Sequence, residues 1–293
     1  SVAIRSFEVT GGRIELGVGG GVTAGSVPML EWQECLHKAA PLIVALGSGL
    51  AADVQAEVPV ATAAQRAGGL LETILAVDGV PLRLADHLAR LERSSRELYR
   101  RGVPDALAAR VCAAARQVGA ARAVLRVLLD PAGTAVVRAA PAPGPLRRSA
   151  VRTVRREPGL WRHKWAERSE FAALEAGGMP LFVAADSTVL ETSRGSVFRL
   201  LADGGLITPP LRDDLLPGVT RQALLDHARD TGRPVQVREF GVADLVGAVA
   251  FWTSSVSGTV AITSVDGVAL PRRDAEIADL GRMLRSAGGT GIG

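Results

Sequence analysis

Between residues 69 and 270 the sequence alternates short β-branched or aliphatic runs with segments whose apolar positions recur at helical spacing. One proline-rich stretch, PAPGPLRR (141–148), interrupts the alternation. A chain with this texture is confined to mixed α/β (α+β) architecture, with strands buried against helices, and the break makes it two-lobed. LLETILAV (70–77) reads as a strand closed by the turn DGVP. LADHLARLERSSRELYRRG (84–102) sets Leu84, Leu88, Leu91 and Leu98 on one helical face and stops at a glycine. Residues 104–119 continue as helix, and RAVLRVLL (122–129) and TAVVRAA read as strands. Beyond the break, AVRTVRRE, PLFVAAD, TVLETSRGSVFRLL, PVQVREF and GAVAFW read as strands, with one helix ending at Glu175 and another starting near Gly218. This gives a small lobe over 69–140, a larger lobe over 149–285 and a flexible tail over 286–293.

Ahead of both lobes, VAIRSFEVTGGRIEL (2–16) reads as a hairpin turning at Gly11-Gly12. The glycine run GVGGGV and a helix with Ser26 as N-cap and Pro28 in its first turn complete a segment over 1–48. A linker over 49–68 follows. The apolar run at 39–54 is broken by glycine and serine and is too short to span a bilayer, so no membrane association is expected. Cys35 and Cys112 have neither metal-ligand nor disulfide-framework spacing, which points to no metal and to a cytoplasmic protein. The net charge is only +4 and the arginines are scattered, so nucleic acid is not an expected partner.

Of 34 basic side chains only Lys38 and Lys164 are lysine. A chain that otherwise uses arginine and yet keeps an amine in WRHKWAERSEF (161–171) points to chemistry a guanidinium cannot do. A desolvated lysine can lose its proton and act as nucleophile, imine former or general base. Trp161 and Trp165 offer apolar surface that would lower its pKa if they pack on it. Three further stretches carry polar groups in suggestive places. In LLPGVTRQALLDHA (215–228) the Pro-Gly step leaves the N–H groups of Val219 and Thr220 at a helix N-terminus, a site for a phosphate or simply a capped helix. Glu191 interrupts the apolar strand of VLETSRGSVF (189–198), either at an exposed edge or buried against a cation. TSSVSGT (253–259) follows a buried strand with a cluster of hydroxyls, which bind an anion or make a turn.

In order and spacing these pieces resemble class IV aminotransferase-type enzymes, the fold-type IV (D-amino-acid aminotransferase-like) pyridoxal-phosphate group, and within it 4-amino-4-deoxychorismate lyase. GGLLETILAVDGVPLRLADHLARLERSS, HKWAERSEF, VLETSRGSVFRLLADGGLITPPLRDDLLPGVTR and FWTSSVSGTVAITSVDG carry the likeness over about two thirds of the chain. The resemblance implies that Lys164 is catalytic, bonding the aldehyde of pyridoxal 5'-phosphate and later moving the proton. It implies that Glu191 pairs with the pyridine nitrogen, and that Arg90, Val219 and Thr220 hold the phosphate with Ser254 or Ser255. His87 is taken as a packing or surface histidine. Ser196 stands where the family commonly has asparagine.

Residues 2–48 are similar instead to the C-terminal end of chorismate-binding enzymes such as the aminodeoxychorismate synthase large component. Glu31 and Glu34 would be its matching carboxylates, and Lys38 would be structural. The juxtaposition supports a lyase converting 4-amino-4-deoxychorismate to 4-aminobenzoate and pyruvate. The alternatives are a class IV aminotransferase acting on branched-chain or D-amino acids, and an inactive scaffold or partner-binding module. Arg126, Arg162 and Ser257 are candidates for substrate carboxylates. A small-molecule substrate and a homodimer are implied, and the hairpin is expected to lend strands to the small lobe.

Overall fold

The computed structural model describes residues 6–20, 28–49, 61–157, 159–212 and 214–286. The chain divides into two compact units, Ser1–Val60 and Ala61–Gly293. In the first, β1 (Ser6–Thr10) and β2 (Arg13–Gly17) pair with Phe7 opposite Leu16 and Val9 opposite Ile14. Gly11 and Gly12 turn the hairpin at φ 59° and 81°, the left-handed pair that a two-residue connection needs. Among the described residues this sheet has two strands, and the four strands of the small-lobe sheet all come from residues 70–141 and not from the hairpin expected to lend them. On α1 (Pro28–Ala45), Lys38 pairs with Glu34 at 2.6 Å and donates to the Gly19 carbonyl at 3.0 Å, a structural use of the amine. Ser26, the end of the glycine run, residues 50–60 of the expected linker and the tail from 287 lie outside the described residues, as does the side chain of Glu31. Where the linker was expected to continue, α2 (Ala63–Gly68) is capped by reciprocal bonds between Thr62 and Gln65.

The small lobe is an antiparallel sheet in the order β4-β3-β5-β6: β3 (Leu70–Val77), β4 (Val80–Pro81), β5 (Arg122–Leu129) and β6 (Ala135–Pro141). Helices α3 (Leu84–Tyr99) and α4 (Leu107–Gln117) cover one face, because alternate residues of the strands (Leu70, Ile74, Leu125, Val127) are apolar and meet Leu84, Leu91, Leu107 and Val111. Full burial of each such side chain contributes about 1.5–3 kcal/mol. The opposite face carries Leu71, Thr73, Arg122 and Arg126.

The larger lobe contains β7 (Arg148–Arg155), α5 (Ser169–Glu175), β8 (Met179–Val183), β9 (Val189–Thr192), β10 (Ser196–Leu200), β11 (Leu206–Thr208), α6 (Val219–Asp230), β12 (Val235–Val237), β13 (Val249–Ser254), β14 (Gly258–Val265), β15 (Val268–Ala269) and α7 (Asp274–Ser286). Its sheet runs β12-β11-β10-β13-β14-β7-β8-β9 with β15 beside β14. β9 also pairs with β10, Glu191 opposite Ser196, so the six strands from β10 round to β9 close on themselves. Val197, Trp252, Val260 and Ile262 form one core of this lobe. Their strand neighbours Phe198, Phe251 and Ala261 point the other way, onto Leu224, Leu225, Ile277 and Leu280 of α6 and α7. Strands buried on both faces read as unbroken apolar runs, which is why AVAFW shows no alternation.

Candidate active site

The segment bearing Lys164 is pinned to the start of β3. The Leu71 N–H donates to the Lys164 carbonyl at 2.8 Å, and the Ala166 N–H donates to the Gly69 carbonyl at 2.9 Å. Gly69 has φ 79°, and a Cβ there would lie 2.3 Å from the Leu129 carbonyl oxygen, so the approach requires glycine. The Lys164 side chain is half-buried. Burial pushes its amine down to about 7; Glu72 opposes that shift, and the positive charges of Arg90, Arg168 and Arg126 reinforce it. A large fraction of the amine is therefore unprotonated and nucleophilic near neutral pH. The two indoles are engaged elsewhere: Trp161 stacks on Phe171, and Trp165 enters the small-lobe core edge-on to His163.

Glu72, on β3, is the centre of a buried ionic cluster. Arg90 grips it with two parallel bonds, Nε to Oε1 and Nη2 to Oε2, each 2.7 Å, while His87 Nδ1 lies 2.7 Å from Oε2. Burial alone would raise this carboxyl, but Arg90 and His87 override it and hold it well below the usual range. The third guanidinium nitrogen of Arg90 donates to the Pro217 carbonyl at 2.9 Å, which sets the side chain against the N-terminus of α6. There Gly218 is the N-cap and supplies no side-chain hydrogen bond, so the N–H groups of Val219 and Thr220 head an uncapped helix. A Cβ on Gly218 would meet Ser196 Oγ at 2.6 Å, so its absence lets β10 and α6 close up. The Thr220 and Ser255 hydroxyls lie 3.3 Å apart, and Ser255 Oγ lies 3.0 Å from His87 Nε2. Ser254 Oγ accepts the Ser257 N–H at 3.3 Å within the turn between β13 and β14.

Glu191 is buried where β9 meets β10. Arg156 Nη1 donates to its Oε1 at 2.9 Å and the Leu216 N–H reaches the same oxygen at 3.4 Å. Burial pushes Glu191 up, against the pull of Arg156. Arg156 is itself held over the rings of Phe182, at 4.8 Å, and Trp161, at 5.3 Å.

Arg90 thus meets Pro217 just ahead of α6, Thr220 meets Ser255, and Glu191 meets the loop that leads into α6. Lys164 lies within electrostatic reach of Arg90 and Glu72. Among the candidates for substrate carboxylates, Arg162 is spent on Glu97 of α3, whereas Arg126 stands exposed on β5, paired in register with Arg138 on one side and Thr73 on the other. Sequence reasoning missed Glu72, Arg156 and Arg168, and it misjudged His87, which is buried and bonded at both ring nitrogens. A signal for Glu72 was available. Leu71-Glu72-Thr73 repeats Leu190-Glu191-Thr192, a carboxylate in an apolar strand, and the same argument applies to both.

Comparison with known proteins bears on the family and the fold. The family described as Amino-transferase class IV matches residues 69–265, and that described as chorismate binding enzyme matches residues 1–44. A bifunctional aminodeoxychorismate lyase / D-amino acid transaminase of Mycobacterium tuberculosis is 30% identical over 250 residues, which cover 72% of this chain and 86% of that protein. Among solved structures, the PLP-bound form of a hypothetical aminotransferase from Mycobacterium tuberculosis superposes with a TM-score of 0.67 at 27% identity, covering 78% of this chain and 91% of its own. A branched-chain aminotransferase from Thermoproteus uzoniensis gives 0.64 at 25%, covering 75% and 86%.

Proposed function

We propose that this chain, which belongs to the class IV aminotransferase family, is a pyridoxal-phosphate lyase that releases pyruvate from 4-amino-4-deoxychorismate and leaves 4-aminobenzoate. The observation that carries the choice of substrate is the pairing on one chain of a class IV region with a match to chorismate-binding enzymes at residues 1–44. The name of the Mycobacterium tuberculosis relative supports it. The donor set suits the cofactor: an uncapped helix N-terminus and Arg90 for a phosphate, a buried carboxylate for a ring N–H, and a free amine for an aldehyde.

When bound, pyridoxal phosphate supplies an aldehyde that condenses with amines and a ring that draws electron density from the adjoining carbon. Val219 and Thr220 would present backbone N–H groups to the phosphate, and Arg90, locked by Glu72, would offer its guanidinium N–H groups at the same end. Glu191 Oε1 is taken by Arg156, which leaves Oε2 for the ring nitrogen and favours the carboxylate form there. The Lys164 amine, in large part unprotonated near neutral pH, would take the proton from the substrate carbon that bears nitrogen and hold it at Nζ. The electron pair from that C–H bond completes the aromatic ring as the C–O bond to the enolpyruvyl group breaks, and the departing oxygen keeps its pair. Protonation of the released enolpyruvate at carbon gives pyruvate. The substrate's atoms are all accounted for and no oxidant is needed. A cytoplasmic homodimer completes the reading.

Transamination of D-amino acids is the second reading, favoured by the double name of the same relative. Both use the same cofactor residues. The test supplies aminodeoxychorismate and follows 4-aminobenzoate and pyruvate, then supplies an amino acid with a 2-oxo acid and follows exchange. Equal amounts of aminobenzoate and pyruvate are expected; exchange without aminobenzoate would overturn the lyase assignment.

A further inference from the structure

We propose that a dianionic phosphate group settling at the N-terminus of α6 draws one proton onto His87, with Ser255 carrying the hydrogen bond between them. The inference rests on the cofactor reading above and concerns how this chain binds the phosphate.

The directions of the hydrogen bonds carry the argument. Glu72 is bound in parallel by Arg90, so it is a carboxylate and can only accept. His87 Nδ1, 2.7 Å from Glu72 Oε2, therefore carries a proton. Arg90 already balances the charge of Glu72, and no net negative charge remains to hold an imidazolium. Burial lowers His87, and Arg90 and Lys164 add to that against the pull of Glu72. In the neutral ring Nε2 is an acceptor. Ser255 Oγ, 3.0 Å away, must give it the only proton a serine hydroxyl has. Ser255 can then only accept, and Thr220 Oγ1, at 3.3 Å, is the group that donates to it.

Both hydroxyls beside the helix terminus thus direct their protons along the chain toward His87. An arriving dianion would meet their lone pairs, a repulsive arrangement at a site otherwise built to attract it. Adding one proton at His87 Nε2 reverses the chain: His87 donates to Ser255, and the Ser255 and Thr220 protons are freed for the anion. The dianion itself supplies the negative charge that favours the imidazolium.

The charged groups facing His87 are Glu72 on β3, Arg90 on its own helix and Lys164 on the segment leading to α5. Arg83 and Arg122 share with it a cavity of about 30 Å³, also lined by Thr220, Ser254 and Ser255. Lys164 would also gain protons when an anion binds, so its contribution has to be removed in the test.

Sulfate is the suitable probe because it stays a dianion across the neutral range. Apo protein is titrated with sulfate by calorimetry in buffers of different ionisation enthalpy, and the ring nitrogens of His87 are followed by ¹⁵N NMR. In the wild type and in Lys164→Met, His87 should pass from the Nδ1–H tautomer to the imidazolium at saturation. In Lys164→Met, uptake should approach one proton per sulfate, with Kd rising up to tenfold per pH unit above neutrality. In the double variant Lys164→Met/His87→Gln, whose amide can turn to donate without a proton, uptake should vanish and Kd should lose its pH dependence. A His87 ring that keeps its neutral tautomer under saturating sulfate, uptake that survives in Lys164→Met/His87→Gln, or no saturable sulfate binding would overturn the inference. Proton uptake in a chain that makes no 4-aminobenzoate would uphold it while sinking the lyase reading. Aminobenzoate formation without uptake would do the reverse.

Discussion

Replacing Glu72 by glutamine keeps the shape of the side chain and removes one buried negative charge. The charge is held by two 2.7 Å bonds from Arg90 and one from His87, with both partners buried. Removing one partner of such a pair strands the other charge in a poorly solvated site, at a cost of about 3–5 kcal/mol. A native domain is stable by only about 5–15 kcal/mol. With a urea slope of about 3 kcal/mol per molar, the unfolding midpoint should fall by roughly 1–1.7 M. The control is Asp226→Asn, which breaks the exposed pair with Arg229 at 2.6 Å and should cost less than about 1 kcal/mol. The sign with pH is also fixed. A carboxyl held below its ordinary value contributes stability that is fully present above that value, 4.5, and is lost on further acidification. The gap between wild type and Glu72→Gln should therefore be constant above about pH 7, widen below it as Lys164 takes up its proton first in the wild type, and close as the solution becomes strongly acidic. The amine gives a second readout. Glu72 is the group opposing the downward shift of Lys164, so acylation of Lys164 should show its pH midpoint moving below about 7 in the variant. A urea shift no larger than the control's, or a midpoint that moves upward, would refute the reasoning.

Lys164→Met should stabilise the apo protein at neutral pH. The unfolded chain binds a proton at this lysine below 10.5 and the folded chain only below about 7, so wild-type stability should climb between those values and the variant's should not, as urea melts would show. Gly69→Ala forces a Cβ to 2.3 Å from the Leu129 carbonyl at a left-handed φ; a loss of about 2–4 kcal/mol is expected, together with weaker pyridoxal-phosphate retention on dialysis because the Lys164 segment hangs from the same residue. Arg156→Ala leaves Glu191 buried without its cation and should raise its pKa further, so cofactor affinity should fall at least tenfold and fall more at lower pH, measured by absorbance titration.

Elements were legible wherever local pattern and final environment agree. The strand at 70–77 and the helix starting at 219 carry periodicity and punctuation in their own residues. The closure of six strands was not legible, because strands buried on both faces look alike in sequence whatever their neighbours. Lys164 stood out through the scarcity of lysine. Of the groups that set its chemistry, Arg90 was named only for the phosphate and Glu72 and Arg168 were not named; they come from α3, β3 and the segment before α5, and their convergence is a property of the packing. Arg156 lies in AVRTVRRE, which was read only as a strand. Strand alternation explains the difference, since Arg155 is exposed while Arg156 turns in to Glu191. His87 was read as a packing or surface histidine because nothing in its own stretch of sequence shows its partners. Its two partners lie 15 residues before it and 168 after it.

The central claim is that the Lys164 amine is the group that captures the cofactor's aldehyde. Two lysines in the whole chain make the test unambiguous. Protein incubated with pyridoxal phosphate, reduced with borohydride, digested and mapped by mass should carry the pyridoxyl adduct on Lys164 and none on Lys38. An adduct on Lys38 alone, or no adduct on either, would contradict the account.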